Sequence, residues 1–288
     1  MTHSTQTIYP TRIQRVVEYI EAHLDEDLSL DRLSAVAGLS RFHFHRQFSA
    51  LTGTTVARLT RRLRLKRAAW YLVFSPDMRV LDIALAAGFS NPETFARAFK
   101  NERGQTPTGF RQNPSWQAWD QILVGAMRHM EIDVTPEIVT FEETPVAVLE
   151  HRGPPHRIMD TVTRFIAWRK ASAASPEAIS RTFGLAYDDP ETTEPENYRF
   201  DVCGELQKPL EDNPTGVVQK TIPGGRCALV RHVGSHDTIG LVVRELYARW
   251  LPESGETLRD FPCFFHYEQR MPRAPEHQQI TNIYLPLA

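Results

Sequence analysis

The chain has 288 residues, 41% of them hydrophobic, with 33 Lys/Arg against 35 Asp/Glu and a net charge of −2. That length suggests two domains, each able to bury its own core. Three cysteines (Cys203, Cys227, Cys263) without a C-x-x-C pair leave a disulfide framework and a zinc site unsupported, and no uncharged apolar run approaches the roughly 18 residues of a membrane span.

The charge is unevenly spread. Residues 1–114 hold 16 Lys/Arg against 10 Asp/Glu, and residues 115–288 hold 17 against 25. A basic half joined to an acidic half fits a DNA-binding unit joined to one that does not bind DNA. The start of the chain lacks a charged-then-apolar leader pattern, so a cytoplasmic protein is expected.

Residues 11–24 read as a helix with Ile13, Val16, Val17 and Ile20 inward. The acidic residues 25–27 end it as a solvated patch. Residues 29–53 then read as two short helices joined by a tight turn. Ser29 and Ser40 stand at N-cap positions, and Gly38 sits where the backbone must turn. Leu30, Leu33 and Val36 form one apolar face; Phe44, Phe48 and Leu51 form another. The opposite face of the second helix carries Phe42, His45, Arg46 and Ser49.

The pattern repeats. Leu33, Ala37, Gly38 and Ser40 are echoed fifty residues later by Ile83, Ala87, Gly88 and Ser90. Phe44, Arg46, Phe48 and Gly53 are echoed fifty-one residues later by Phe95, Arg97, Phe99 and Gly104. Asn91-Pro92 makes a good helix start. Residues 54–74 bridge the two units as one helix with Val56, Leu59, Leu63, Ala68 and Leu72 inward. Its crowd of Arg58, Arg61, Arg62, Arg64, Lys66 and Arg67 suits phosphates or a neighbouring acidic surface.

These residues carry a resemblance. AxxAGFSNPETFARAFK (84–100), GQTPTGFR (104–111) and RLRLKRA (62–68) resemble the paired helix-turn-helix domain of AraC/XylS-type transcription regulators. The resemblance implies a recognition helix in each of two major-groove segments. It points to Arg41, Phe42, His45 and Arg46 in the first helix, and to Asn91, Glu93, Thr94 and Arg97 in the second. It implies double-stranded promoter DNA and RNA polymerase as partners.

Residues 115–130 are expected to form a linker helix between a DNA-binding domain over 1–114 and a second domain over 131–288. From residue 131 short apolar, β-branched runs appear. Strands are expected at 131–142, 146–151, 181–187 and 198–206, with a helix at 158–171. This half also repeats. VAVLEHRG (146–153) is echoed by CALVRHVG (227–234), Trp168 by Trp250, residues 183–188 by 263–268 and residues 201–203 by 282–284. The expected fold class is α+β multidomain: an all-α double helix-turn-helix domain followed by two strand-helix-strand-strand repeats, with a groove between them.

PVAVLEHRG (145–153), YDDP (187–190), IPGGRCALVRHVG (222–234), WLPESG (250–255) and IYLPL (283–287) resemble the GyrI-like effector-binding domain. The resemblance implies an aromatic pocket for a small lipophilic effector, with Trp168, Tyr187, Phe264, Phe265, Tyr267 and Glu268 as candidate ligand residues. Aromatic faces attract cations. Phe265 stands where that family tends to carry a glutamate. Core packing is the competing role for each aromatic, and a satisfied structural role competes for His151 and His232. No cofactor, metal or catalytic residue is expected. A hydrolase or a protein-binding module in the C-terminal half stays open beside ligand sensing.

Overall fold

The protein is described by a computed structural model covering residues 8–116, 132, 134–270 and 274–288. Its N-terminal half is helical: α1 (Ile8–Ala22), α2 (Leu30–Ala37), α3 (Arg41–Thr52), α4 (Val56–Phe74), α5 (Val80–Ala86), α6 (Pro92–Arg103) and α7 (Pro107–Gln112). Helices α2–α3 and α5–α6 form the two helix-turn-helix units on either side of α4.

Local chemistry sets the boundaries. The Ser29, Ser40 and Thr55 hydroxyls accept from Arg32, His43 and Arg58 N–H, capping α2, α3 and α4. Asn91 Oδ1 accepts from Glu93 and Thr94 N–H, and Pro92 occupies the first turn of α6. Helices α2 and α5 end in the same way. Gly38 N–H bonds to Ala35 C=O while Leu39 N–H reaches back to Ser34 C=O. Gly88 N–H and Phe89 N–H repeat this with Leu85 and Ala84. Both glycines have positive φ, 62° and 80°, which a side chain would oppose.

One core holds the half together: Ile13, Val16, Val17 and Ile20 of α1, Phe44 and Phe48 of α3, Leu59 and Leu63 of α4, and Phe95 and Phe99 of α6. Leu30 departs from the expected apolar face. It opens α2 and is 39% exposed, while Leu33, Ser34 and Ala37 are buried. Trp116 is buried against Trp70, Phe74 and Phe110. The expected linker helix over 115–130 lies almost wholly outside the described residues.

Among the described residues, the C-terminal half forms one eight-stranded antiparallel sheet with two longer helical segments. Its strands are β1 (Glu137–Phe141), β2 (Thr144–Arg152), β3 (Thr182–Ala186), β4 (Arg199–Glu205), β5 (Val218–Ile222), β6 (Gly225–Val233), β7 (Cys263–Gln269) and β8 (Ile280–Pro286). Helix α8 (Ile158–Ala171) follows β2. Helix α9 (Ile239–Glu245) follows β6 and runs through a π turn (Leu246–Trp250) into Leu251–Ser254. The strand order is β1-β6-β8-β7-β3-β4-β2-β5.

That order is twofold symmetric under a shift of 81 residues. Each repeat opens with a short strand that is exchanged; the sequence places the first, within 131–142, but not the second. β1 pairs with β6 of the second repeat, and β5 pairs with β2 of the first. The π turn absorbs one extra residue, which is why Trp168 and Trp250 stand 82 apart.

The register corrects one repeat assignment. Phe183 pairs with Cys203 and Phe264 with Tyr284, so Phe264, not Cys263, is the counterpart of Phe183. A one-residue slip in a strand moves every side chain to the other face. The sheet has a core on each face. One face packs Leu149, Phe200, Val202, Phe265 and Ile283 against α8 and α9. The other holds Phe141, Val148, Phe183, Cys203 and Phe264. Phe141 of β1 lies 6.1 Å from the ring of Phe183 on β3, four strands away in the order. A flat sheet would separate them by about 19 Å at 4.8 Å per strand, so the sheet curls around this second core.

Candidate nucleic-acid interface and effector groove

The faces of α3 and α6 expected to meet DNA are exposed. Phe42 is 87% exposed, and Arg41, His45, Arg46, Asn91, Glu93, Thr94 and Arg97 are all exposed. Phe44, Phe48, Phe95 and Phe99 anchor the opposite faces of the same helices in the core, fixing which side is presented. Among the described residues, Arg46 and Arg97 have no ion-pair or hydrogen-bond partner. Each can offer a guanidinium fork to the O6 and N7 of guanine.

Two of the eight candidates are partly committed. Asn91 spends its side-chain oxygen on the cap of α6 at 2.7 and 3.2 Å, leaving its amide as a donor. Arg41 pairs with Asp31, at a surface site where such a pair is worth about 0–1 kcal/mol, so DNA can compete for it.

The basic crowd on α4 divides in two. Arg58 and Arg61 are exposed. The other four are used inside the molecule. Arg62 pairs with Glu102 at 3.1 Å. Arg64 donates to the Leu24 and Glu26 carbonyls. Arg67 donates to the Glu21 carbonyl, and Lys66 pairs with Asp237 at 2.5 Å. Residues 25–27 are therefore not merely solvated: Glu26 also pairs with Arg32, and Asp25 with Arg67.

In the C-terminal half the structure brings together only part of the candidate pocket. Trp168, Phe265 and Tyr267 share the helix-covered face. Phe265 lies opposite Gly184 across β7 and β3, next to Phe200 at 6.3 Å and Tyr267 at 6.3 Å between ring centres. A Cβ on Gly184 would meet the Phe200 ring at 2.4 Å and Tyr267 Oη at 2.9 Å, so its bareness makes room for both rings. Tyr267 also touches the His236 ring at 4.9 Å. These residues lie on the sheet face that α8 and α9 cover, packed in its core.

Tyr187 and Phe264 lie on the opposite face, as the corrected register requires. Glu268 faces away from Phe265, held by Arg231 at 2.8 Å and Asn282 at 3.2 Å. Its carboxyl is held below its ordinary value by the Arg231 hydrogen bond. Tyr187 donates to Asp201 at 2.9 Å, and burial beside Asp201 pushes its hydroxyl up to about 12.

Asp201 was not legible as a buried acid. It is fully buried and also accepts from Lys220 at 2.7 Å and Arg152 at 3.1 Å. Three donors satisfy it, so it is a structural centre of that face. His151 and His232 are likewise structural. Each ring reaches the carbonyl three residues on, Pro154 and Ser235, and burial lowers both pKa values. The three cysteines are free and buried. Among the described residues no cluster fits a metal ion and no helix is long and apolar enough to cross a membrane.

Comparison with known proteins agrees with both halves. Residues 135–288 match the GyrI-like small molecule binding domain and residues 33–113 match a helix-turn-helix domain model. The chain is 43% identical over 162 residues to the probable transcriptional regulator YgiV of Escherichia coli K12, covering 56% of this chain and 100% of that protein. It is 38% identical over 136 residues to the right origin-binding protein of the same organism, covering 46% of each. Among solved structures, the DNA-binding domain of AdpA in complex with a target DNA is 30% identical, with a TM-score of 0.34, over 35% of this chain and 89% of that one. The chain belongs to the GyrI-like family and carries an AraC-type helix-turn-helix half: it is a DNA-binding transcription regulator with a GyrI-like small-molecule binding domain.

Proposed function

We propose that the chain is a cytoplasmic, non-enzymatic regulator that reads a bipartite promoter site with residues 1–114 and senses a small lipophilic molecule with residues 131–288. Arg41, Phe42, His45 and Arg46 meet one major-groove segment. Asn91, Glu93, Thr94 and Arg97 meet the next, and the bound regulator acts on RNA polymerase. The observation that carries this is the pair of arginines, Arg46 and Arg97, unpartnered among the described residues, on equivalent exposed faces of two helix-turn-helix units. Helix α4 has 19 residues, about 28 Å at 1.5 Å per residue. That suits recognition helices set about one helical turn of DNA, roughly 34 Å, apart.

Ligand sensing is supported by the match to a small-molecule binding domain and by the aromatic cluster of Phe200, Phe265 and Tyr267 on the helix-covered face. With Phe265 in place of a carboxylate, shape and apolar area select the ligand more than its charge does. The test is a panel of small lipophilic compounds against the full chain. A compound that raises Tm and changes affinity for bound DNA supports the sensor. A compound that is turned over makes the half an enzyme. A panel without any binder favours a protein-binding module.

A further inference from the structure

We infer that a buried ion cluster centred on Lys66 is the joint that couples the effector groove to the helix spacing the two DNA-reading units. The inference rests on the regulator reading for its consequence, but its geometry stands apart from it.

Lys66 sits in the middle of α4 and is 7% exposed. Its partners come from the other half of the chain. Asp237 Oδ2 is at 2.5 Å, in the turn His236–Thr238 that opens α9, and Glu276 Oε1 is at 3.8 Å, in the turn Glu276–Gln278. Burial works to lower the Lys66 pKa, but Asp237 and Glu276 outweigh it and hold the ammonium charged. Glu21 of α1 completes the cluster, 6% exposed. Burial, with Glu276 and Asp237 nearby, raises its carboxyl well above the ordinary value.

Three carboxyl groups thus surround one ammonium. Among the described residues, Glu21 Oε1 and Glu276 Oε2 find no hydrogen-bond partner. A buried polar network only partly satisfied contributes little as glue, yet responds strongly when one member moves.

The cluster is wired to the groove. Tyr267, on the sheet face covered by α8 and α9, packs its ring 4.9 Å from His236, and His236 is bonded in sequence to Asp237. The path is Tyr267, His236, Asp237, Lys66, α4. The first repeat docks as well. His156, Arg157 and Asp160, at the start of α8, line a cavity of about 200 Å³ with Gln105, Asn113 and Trp116 of the DNA-binding half. The opening turns of both groove helices therefore abut the helical half. A ligand that moves those helices acts on it at two points. Leu241 of α9 is even part of the helical half's core.

The docked arrangement leaves Phe42, His45, Arg46 and Arg97 exposed. The effector half therefore does not work by covering the DNA face. It works as a splint on α4.

Hydrogen–deuterium exchange on the full chain tests this without DNA. Tyr267→Leu removes the ring against His236. It should speed exchange of the α4 amides around Lys66 about tenfold, within the range of allosteric couplings, with α6 as the internal control. In a Lys66→Met background, Tyr267→Leu should add nothing at α4. Equal acceleration in both backgrounds, or none in either, overturns the inference. If Lys66→Met fails to fold, Asp237→Asn serves as the second background with the same expectation. Loss of specific DNA binding in the unmutated chain would instead defeat the regulator reading and leave the exchange result standing.

Discussion

Lys66 Nζ lies 2.5 Å from Asp237 Oδ2, joining the helix between the two DNA-reading units to the turn that begins the second groove helix. This pair links the two halves, because an ammonium left buried without its carboxylates costs several kcal/mol.

Direct readout makes the first prediction. Arg46→Ala and Arg97→Ala should each cost about 1–3 kcal/mol at a cognate site and relax preference at particular bases. Fluorescence anisotropy over single-base variants of the site measures this. Uniform weakening across all variants would make the residue a phosphate contact.

The two turn glycines give a sharper stability test. Gly38 and Gly88 have similar positive φ, but a Cβ on Gly38 meets open space, whereas on Gly88 it meets the Leu24 carbonyl at 2.1 Å. Gly38→Ala should cost only the backbone penalty, about 1 kcal/mol. Gly88→Ala should cost clearly more, because the chain must also shift. Urea unfolding of the two variants compares them, and equal losses would contradict the close approach.

Burial lowers His236 to about 3, so its ring stays neutral in the folded chain while the unfolded chain takes up a proton below about pH 6.5. Its contribution to stability is therefore lost as pH falls from 6.5 toward 3, by up to about 1.4 kcal/mol per pH unit. Glu21 and Glu276, raised above 4.5, act with the opposite sign: their contribution is present below pH 4.5 and lost as pH rises through their folded values. Denaturation midpoints of the chain and of His236→Gln between pH 4 and 7 separate the two. The variant should lose stability less steeply on acidification, and parallel curves would refute the assignment.

The proposed ligand sensor makes Phe265 the residue that sets ligand charge. Phe265→Glu should give the full chain measurable affinity for lipophilic cations and lower its Tm, since an unpaired buried carboxylate is costly. Calorimetric titration with a matched lipophilic cation and anion checks this. No preference for the cation would show that the side chain does not face the ligand.

Much of this was written in the sequence. Ser29, Ser40 and Asn91 announce helix starts because a capping side chain answers local backbone donors, and the spacing of Phe44, Phe48, Phe95 and Phe99 gives the buried faces. The repeat of residues 146–153 at 227–234 gave away the doubled sheet. What escaped is nonlocal. The exchange of β1 and β5 leaves a trace of only short edge strands. The resemblance grouped Tyr187, Phe264, Phe265 and Tyr267 in one pocket, but neighbouring positions on a strand face opposite ways, and the sheet sends Tyr187 and Phe264 to one face and Phe265 and Tyr267 to the other. Sequence also gives no sign that Lys66, amid five arginines, points to carboxylates some 170 and 210 residues away.

The central claim is that one chain reads a two-part site. Selection of bound DNA from a random pool by the full chain, at near-physiological salt where nonspecific binding is weak, tests it most directly. A motif in two parts, with centres about one helical turn apart, is the predicted result. No enrichment by the full chain or by residues 1–114 alone would contradict the account.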